Sequence, residues 1–342
     1  MRHSAALAVL LAGALGGCNT EYDNPFAETA TGLPPPDAAD VVFTSNTYTT
    51  RTGSPREIYA AGDGGDAVTR LTFCNTEQSR CDNVEAAPAP ERQRMAIRRV
   101  ATDANNDGQL SAADGESLVF VDLGRSVEAE LLPANARVNG VDWSPLGDFI
   151  IYSAVGEGGQ DDIFIMDPNG QNNRNRTLSP GISERRPRLN ASANSAVYER
   201  VDNTGKGQIY IFSAFRVTSG GPGSEPLAGT HYVVGSDADP DFSPDGRLVV
   251  FRRLTATGNG GLGTWDILTA RTDGTELTVV ASGPAYRGAP DWGPDGILFN
   301  EVDVAAARSQ LVTIDAAGTN RRTPVTLGGS ILLSYPRWLT AR

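Results

Sequence analysis

Asp241-Phe242-Ser243-Pro244-Asp245-Gly246, followed by the apolar run Leu248-Val249-Val250-Phe251, decides the fold. It reads as the end of one strand, a tight turn and the start of a second strand. Pro244 sets φ for the turn, Asp245 has a side chain that bonds its own backbone, and Gly246 takes the positive-φ position. The phrase recurs. Asp142-Trp143-Ser144-Pro145-Leu146-Gly147 precedes Phe149-Ile150-Ile151-Tyr152, and Asp291-Trp292-Gly293-Pro294-Asp295-Gly296 precedes Ile297-Leu298-Phe299. Two worn copies, Pro187-Arg188-Leu189-Asn190 and Ala89-Pro90-Glu91-Arg92, precede the apolar runs at Ala196 and Met95. Measured at the aromatic position, Trp143, Leu189, Phe242, Trp292 and Trp338 follow one another at 46, 53, 50 and 46 residues. Periods of about 40–50 residues, each holding four short strands, define the blades of a propeller.

The ends of the repeat complete the reading. Tyr335-Pro336-Arg337-Trp338-Leu339 is a first strand with nothing after it, and Val41 to Ser45 is a second strand with nothing before it. Joined, they make one blade and leave no open sheet edge there. The expectation is an all-β, six-bladed propeller with blades at 41–83 plus 335–339, 84–134, 138–181, 186–232, 238–283 and 289–330. A packed β-sandwich is the alternative, but it does not require the same turn phrase at this spacing.

The chain has 342 residues, 39% hydrophobic, with 38 Gly and 21 Pro, which suits many strands and turns. A formal net charge of −12 argues against general nucleic-acid binding. The N-terminus carries Arg2, then an apolar stretch from Ala5 to Leu15 that is too short to span a bilayer, then Leu15-Gly16-Gly17-Cys18. This resembles the bacterial lipoprotein signal, which implies removal of residues 1–17 and a lipid on Cys18. Asn19, by the same resemblance, implies the outer membrane. Residues 18–39 are polar, include Pro34-Pro35-Pro36, and read as a flexible tether. The propeller then occupies 40–342. The remaining cysteines, Cys74 and Cys81, close a small loop and form a disulfide pair in an oxidising compartment; two free thiols are the alternative.

One insertion carries a metal motif. Asp103-Ala104-Asn105-Asn106-Asp107-Gly108-Gln109-Leu110-Ser111-Ala112-Ala113-Asp114 has the pattern of a calcium loop. Asp103, Asn105, Asp107 and Asp114 supply side-chain oxygens, Gln109 a carbonyl, and Gly108 the sharp turn. The role expected of the ion is structural, and residues 110–116 are expected to form one short turn.

The three Asp-(Phe/Trp)-(Ser/Gly)-Pro phrases at 241, 142 and 291, with the strands that follow them, resemble the TolB family of WD-repeat-like propellers, over nearly all of 41–339. The extra N-terminal domain of that family's namesake is not expected here, because the stretch before the first strand reads as a tether. The resemblance implies a non-enzymatic, monomeric envelope lipoprotein on the periplasmic side of the outer membrane. It also implies that one end of the channel docks a protein, such as a peptidoglycan-associated lipoprotein. Loop parity places Arg137, Asn139, Arg185, Arg186, Tyr286, Arg287 and Tyr335 in loops at that end, which is also the end that carries the calcium loop. Arg and Tyr are common interface anchors. The alternative function is glycan or peptide binding, or hydrolase or lyase chemistry, in the channel. Against catalysis, no Gly-x-Ser-x-Gly elbow is present, and His231 is the only histidine after the leader.

Overall fold

The computed structural model describes residues 39–46, 55–62, 64, 68–73, 81–125, 127–213, 224–227, 236–328 and 332–339. The strands form six four-stranded sheets with antiparallel neighbours. Blade 1 takes its innermost strand, Leu333–Trp338, from the far end of the chain and adds Val41–Ser45, Glu57–Ala61 and Thr69–Arg70. In the pairing, Val41 faces Trp338 and Val42 faces Arg337. Blade 2 runs Asp82–Pro88, Arg94–Val100, Ser117–Asp122, Val127–Leu132. Blade 3 runs Val141–Trp143, Ile150–Val155, Asp161–Met166, Arg174–Asn175. Blade 4 runs Ser183–Leu189, Ala196–Val201, Gly207–Phe212, Ser224–Pro226. Blade 5 runs Asp237–Phe242, Leu248–Ala256, Thr264–Arg271, Thr278–Ala281. Blade 6 runs Tyr286–Gly293, Gly296–Asp303, Arg308–Ile314, Arg322–Gly328. We call the four strands of each blade A to D from the axis outward. Every A strand touches the A strand of the next blade, all the way round.

The hydrophobic core is six seams, each shared by two adjacent blades. Trp143 fills the seam between blades 2 and 3, Leu189 that between 3 and 4, and Phe242 that between 4 and 5. Trp292 does the same between blades 5 and 6, and Trp338 between 6 and 1. The large residue of the repeated phrase is therefore a wedge against the preceding blade. Burial of such side chains drives the blades together.

The turn survives where its sequence is worn. In blade 5, Ser243 N–H donates to Leu248 O and Gly246 N–H to Ser243 O. The same two bonds recur at Asn190 and Ala193 in blade 4, and at Ala89 and Arg92 in blade 2. Ala193 and Arg92 hold the left-handed conformation that Gly246 and Gly147 adopt at no steric cost. Blade 6 is tighter by two residues, with Trp292 paired to Ile297 and Gly293 to Gly296, where blade 5 pairs Phe242 with Val249. A Cβ on Gly293 would lie 2.4 Å from the Trp338 ring, so glycine there lets the next wedge close on the strand.

Candidate functional site

The A strands begin two to three residues earlier in blades 4, 6 and 1 than the turn spacing predicts. The reason is a bulge. Register shifts fall in the A strands of blades 1, 2, 4, 5 and 6. In four of them the residue before a proline is left-handed: Arg186, Asp239, Ala289 and Tyr335, with φ of 52°, 51°, 45° and 46°. Each stands three residues before its blade's wedge. Glu85 and Gly140 hold the same place in blades 2 and 3. These are uncommon conformations for non-glycine residues, and they persist because surrounding contacts over-determine them. The bulge re-aims side chains at the axis.

What gathers there is an ion network. Glu85 of blade 2 is held by Arg98 of its own blade, by Arg188 of blade 4 and by Arg337 of blade 1. Arg188 and Arg337 also donate to the Val141 carbonyl of blade 3. Three blades thus meet on one carboxylate that is 1% exposed, and the two arginines from outside its blade tie in a fourth through Val141. Asp239 is paired with Arg186 at 2.5 Å and Arg252 at 2.6 Å. Burial alone would raise the Asp239 carboxyl, but the two guanidinium charges outweigh it and bring it down to about 2. Burial pushes the Glu199 carboxyl up, against the pull of Arg186 at 3.5 Å. Arg252 lies 3.9 Å over the Trp265 ring, and Arg98 lies 5.8 Å over Tyr335.

The aspartate of the repeated phrase has a different task. Asp142 accepts the Leu189 N–H at 3.1 Å, Asp241 the Trp292 N–H at 2.7 Å, and Asp291 the Trp338 N–H at 2.8 Å. Each carboxylate latches its blade to the backbone of the next wedge. Arg188 and Arg337 stand where this aspartate would be in blades 4 and 1, and they reach Glu85 instead.

The residues expected in docking loops divide three ways. Arg186, Arg287, Tyr286, Arg185 and Tyr335 belong to A strands rather than loops, because the bulge lengthens those strands. Arg287 is buried on Glu301 and on the carbonyls of Ser282, Gly283 and Trp265. Arg185 is half-exposed and paired with Asp161. Arg137 is exposed, and Asn139 beside it is half-buried. Arg98, Arg188, Arg252, Arg337, Glu85, Asp239 and Glu199 escape a reading based on loops. The signal for four bulges was present as x-Pro-(Asp/Arg)-(aromatic/Leu) at 186–189, 239–242, 289–292 and 335–338.

The metal motif folds as one compact loop. Asp103 accepts the N–H groups of Asp107 and Gly108, and Asp107 accepts that of Gln109. Asp114 accepts those of Asn105 and Ser111, which ties the loop's last ligand position to its third. Backbone bonds hold the Asp114 carboxyl below its ordinary value, those from Ser111 and Asn105 foremost. The expected short turn is the 3-10 turn Ala112–Asp114, with Ser111 as its cap. The alternation of oxygen-bearing side chains and the bend at Gly108, with φ of 82°, fit a hard cation. Among the described residues, no three His, Cys, Asp or Glu side chains stand grouped as a preassembled metal centre. The loop's donor set would instead combine carboxylates, Asn105 and the Gln109 carbonyl. Cys81 is disulfide-bonded; Cys18, Cys74 and His231 lie outside the described residues.

Beside the loop, a pocket of about 250 Å³ opens at the seam of blades 2, 3 and 4, lined in part by Glu116, Arg137, Asn139, Asp161, Ser183 and Arg185.

No protein-family model and no curated protein matches the chain. Solved structures do match its fold. TolB from Acinetobacter baumannii is 15% identical with a TM-score of 0.65, covering 90% of this chain and 68% of that one. The nidogen/laminin complex matches at 11% identity and a TM-score of 0.60, covering 89% and 99%. An oligogalacturonate lyase in complex with manganese matches at 11% identity and a TM-score of 0.51, covering 84% and 73%. The chain is thus similar in fold to the six-bladed propeller of TolB. At these identities the likeness is one of architecture, and it is shared by proteins with different tasks.

Proposed function

We propose that this chain is a non-enzymatic envelope protein whose calcium-loop face docks a protein partner. The observation that carries this reading is the ion network at the axis. Carboxylate chemistry in a propeller channel requires acids free to exchange protons with substrate. Here Glu85 is spanned by three arginines and Asp239 by two, so the central acids are committed to holding blades together. The outer rim of the same face carries Arg137, Asn139 and Arg185 around a polar pocket. That is the composition of a docking rim.

In this reading residues 1–17 are a signal peptide, Cys18 carries the lipid, and residues up to 39 tether the propeller to the outer membrane on its periplasmic side. Cys74 is the disulfide partner of Cys81. The loop at 103–114 binds one calcium ion that stiffens the insertion, and the partner is an envelope protein of the peptidoglycan-associated lipoprotein kind. The protein acts as a monomer.

The test is capture. Immobilised protein is exposed to envelope extract, and what it retains is identified by mass spectrometry. Wild type should retain one envelope protein reproducibly. Arg185→Glu should lose it, and Arg247→Glu, in the exposed turn at the opposite face, should keep it. Retention of glycan without protein, or loss only on Arg247→Glu, overturns the docking face.

A further inference from the structure

We infer that the pocket at the seam of blades 2, 3 and 4 receives an acidic side chain of the docked protein. The inference rests on the docking reading and deepens it, by naming where the partner inserts and with what chemistry. The pocket holds about 250 Å³. That is room for several waters, or for one short side chain that displaces them.

Charge decides which side chain. The lining includes two acids, Glu116 and Asp161, but both are already neutralised. Glu116 takes the Nε and Nη2 of buried Arg98, and Asp161 takes the Nε of Arg185. Asn139 Nδ2 points to the same Asp161 oxygen at 3.5 Å, a marginal bond that leaves the amide free to serve a ligand. Ser183 Oγ accepts the Asp161 N–H at 3.4 Å, which leaves its own proton to donate. Arg137 is different. It lines the pocket, is exposed, and makes no ion pair among the described residues. An uncommitted guanidinium beside a donating amide and a hydroxyl is a receptor for carboxylate.

The backbone around Arg137 is fixed before any ligand arrives. Arg137 caps the 3-10 turn Ala134–Ala136 in the left-handed conformation, donating its N–H to Ala134 O. Val138 N–H donates to Glu116 O at 3.0 Å, and Asn139 N–H to Ser153 O at 2.8 Å. The site therefore loses little backbone freedom on binding, and pre-organisation of this kind favours affinity.

The experiment is calorimetric titration of the full chain with N-acetylglutamate N-methylamide. The neutral glutamine isostere and N-acetyl-lysine N-methylamide are run beside it. A ligand of this size should bind with a Kd on the order of 1 mM. The glutamine probe should bind at least about tenfold more weakly, as expected when one charge-assisted bond is lost. Arg137→Gln should weaken the glutamate probe by a similar factor, and Arg247→Gln should not. Equal binding of the glutamate and glutamine probes, unchanged binding by Arg137→Gln, or preference for the lysine probe overturns the assignment. Circular dichroism of Arg137→Gln guards against misfolding, and substitution at an exposed site is not expected to cause it. Docking has its own readout in capture of an envelope protein. The pocket therefore falls on the probe titration alone, and the docking face on capture alone.

Discussion

Asp291 does two jobs with one carboxylate. Oδ2 accepts the Trp338 N–H at 2.8 Å, and Oδ1 takes Arg337 Nη1 at 3.1 Å, both out of water. Asp291→Ala would leave a buried N–H and a buried guanidinium without this partner. Breaking a buried pair costs about 3–5 kcal/mol, and urea unfolding should show a loss of that order. Asp295→Ala, four residues on in the exposed turn, should stay within about 0.5 kcal/mol. Glu199 makes the opposite prediction. Burial raises its carboxyl in the folded state, so the folded chain holds this proton more tightly than the unfolded one. Its contribution to stability is present below the ordinary carboxylate value and is lost as pH rises through the raised value. Glu199→Gln should therefore melt higher than wild type at pH 7, and the difference should vanish near pH 4. A variant that melts lower at pH 7 would mean that the Arg186 contact outweighs burial. Asp239, brought down to about 2, behaves in reverse. Its stabilisation holds at neutral pH and is lost only as pH falls toward that value, so Asp239→Asn should cost most at pH 7.

At the scale of elements, what could be read from the sequence was what recurs. The turn phrase, its spacing and the strands after it follow from local chemistry that proline, aspartate and glycine impose wherever they stand. The bulges were harder to read, because a left-handed Asp239 or Tyr335 is not preferred locally. Contacts from neighbouring blades hold it there, and those contacts become visible only when distant segments meet. For the same reason Arg186 and Arg287 looked like loop residues and proved to be strand residues tied down by acids. The loop at 103–114 carries a motif that the sequence displays, but its link to the pocket was not readable there. Gly115, just after the last ligand position, abuts the turn that carries Arg137: a Cβ there would lie 2.6 Å from Ala134 O, at a φ of 89°. Gly115→Ala should therefore disturb both elements together, weakening calcium affinity and binding of the glutamate probe. Titration of the variant with each ligand checks this. Chelation of wild type should likewise lower its melting temperature. An unchanged melt and no heat on calcium titration would remove the ion from the account.

Across the whole molecule, stability should be a property of the circle rather than of any blade. Each seam is shared by two blades, three of the six junctions carry an aspartate latch, and Glu85 binds arginines from blades 1, 2 and 4. The strand Leu333–Trp338 takes part in all three kinds of contact. It supplies Trp338 to the seam between blades 6 and 1, its backbone to the Asp291 latch, and Arg337 to Glu85. Deleting residues 333–342 should do more than remove one strand's worth of burial. It exposes the edge of Val41–Ser45, empties one seam and leaves Glu85 short of a cation. Calorimetry should then show the single cooperative transition replaced by a broad one at lower temperature. A synthetic peptide of residues 332–342 should add back as a strand and restore the sharp transition. The same peptide with Trp338→Ala, which pairs through its backbone but lacks the wedge, should not. A truncated protein that melts like the full chain would show that five blades and a partial sixth suffice, and that the shared blade is not what makes the circle cooperative.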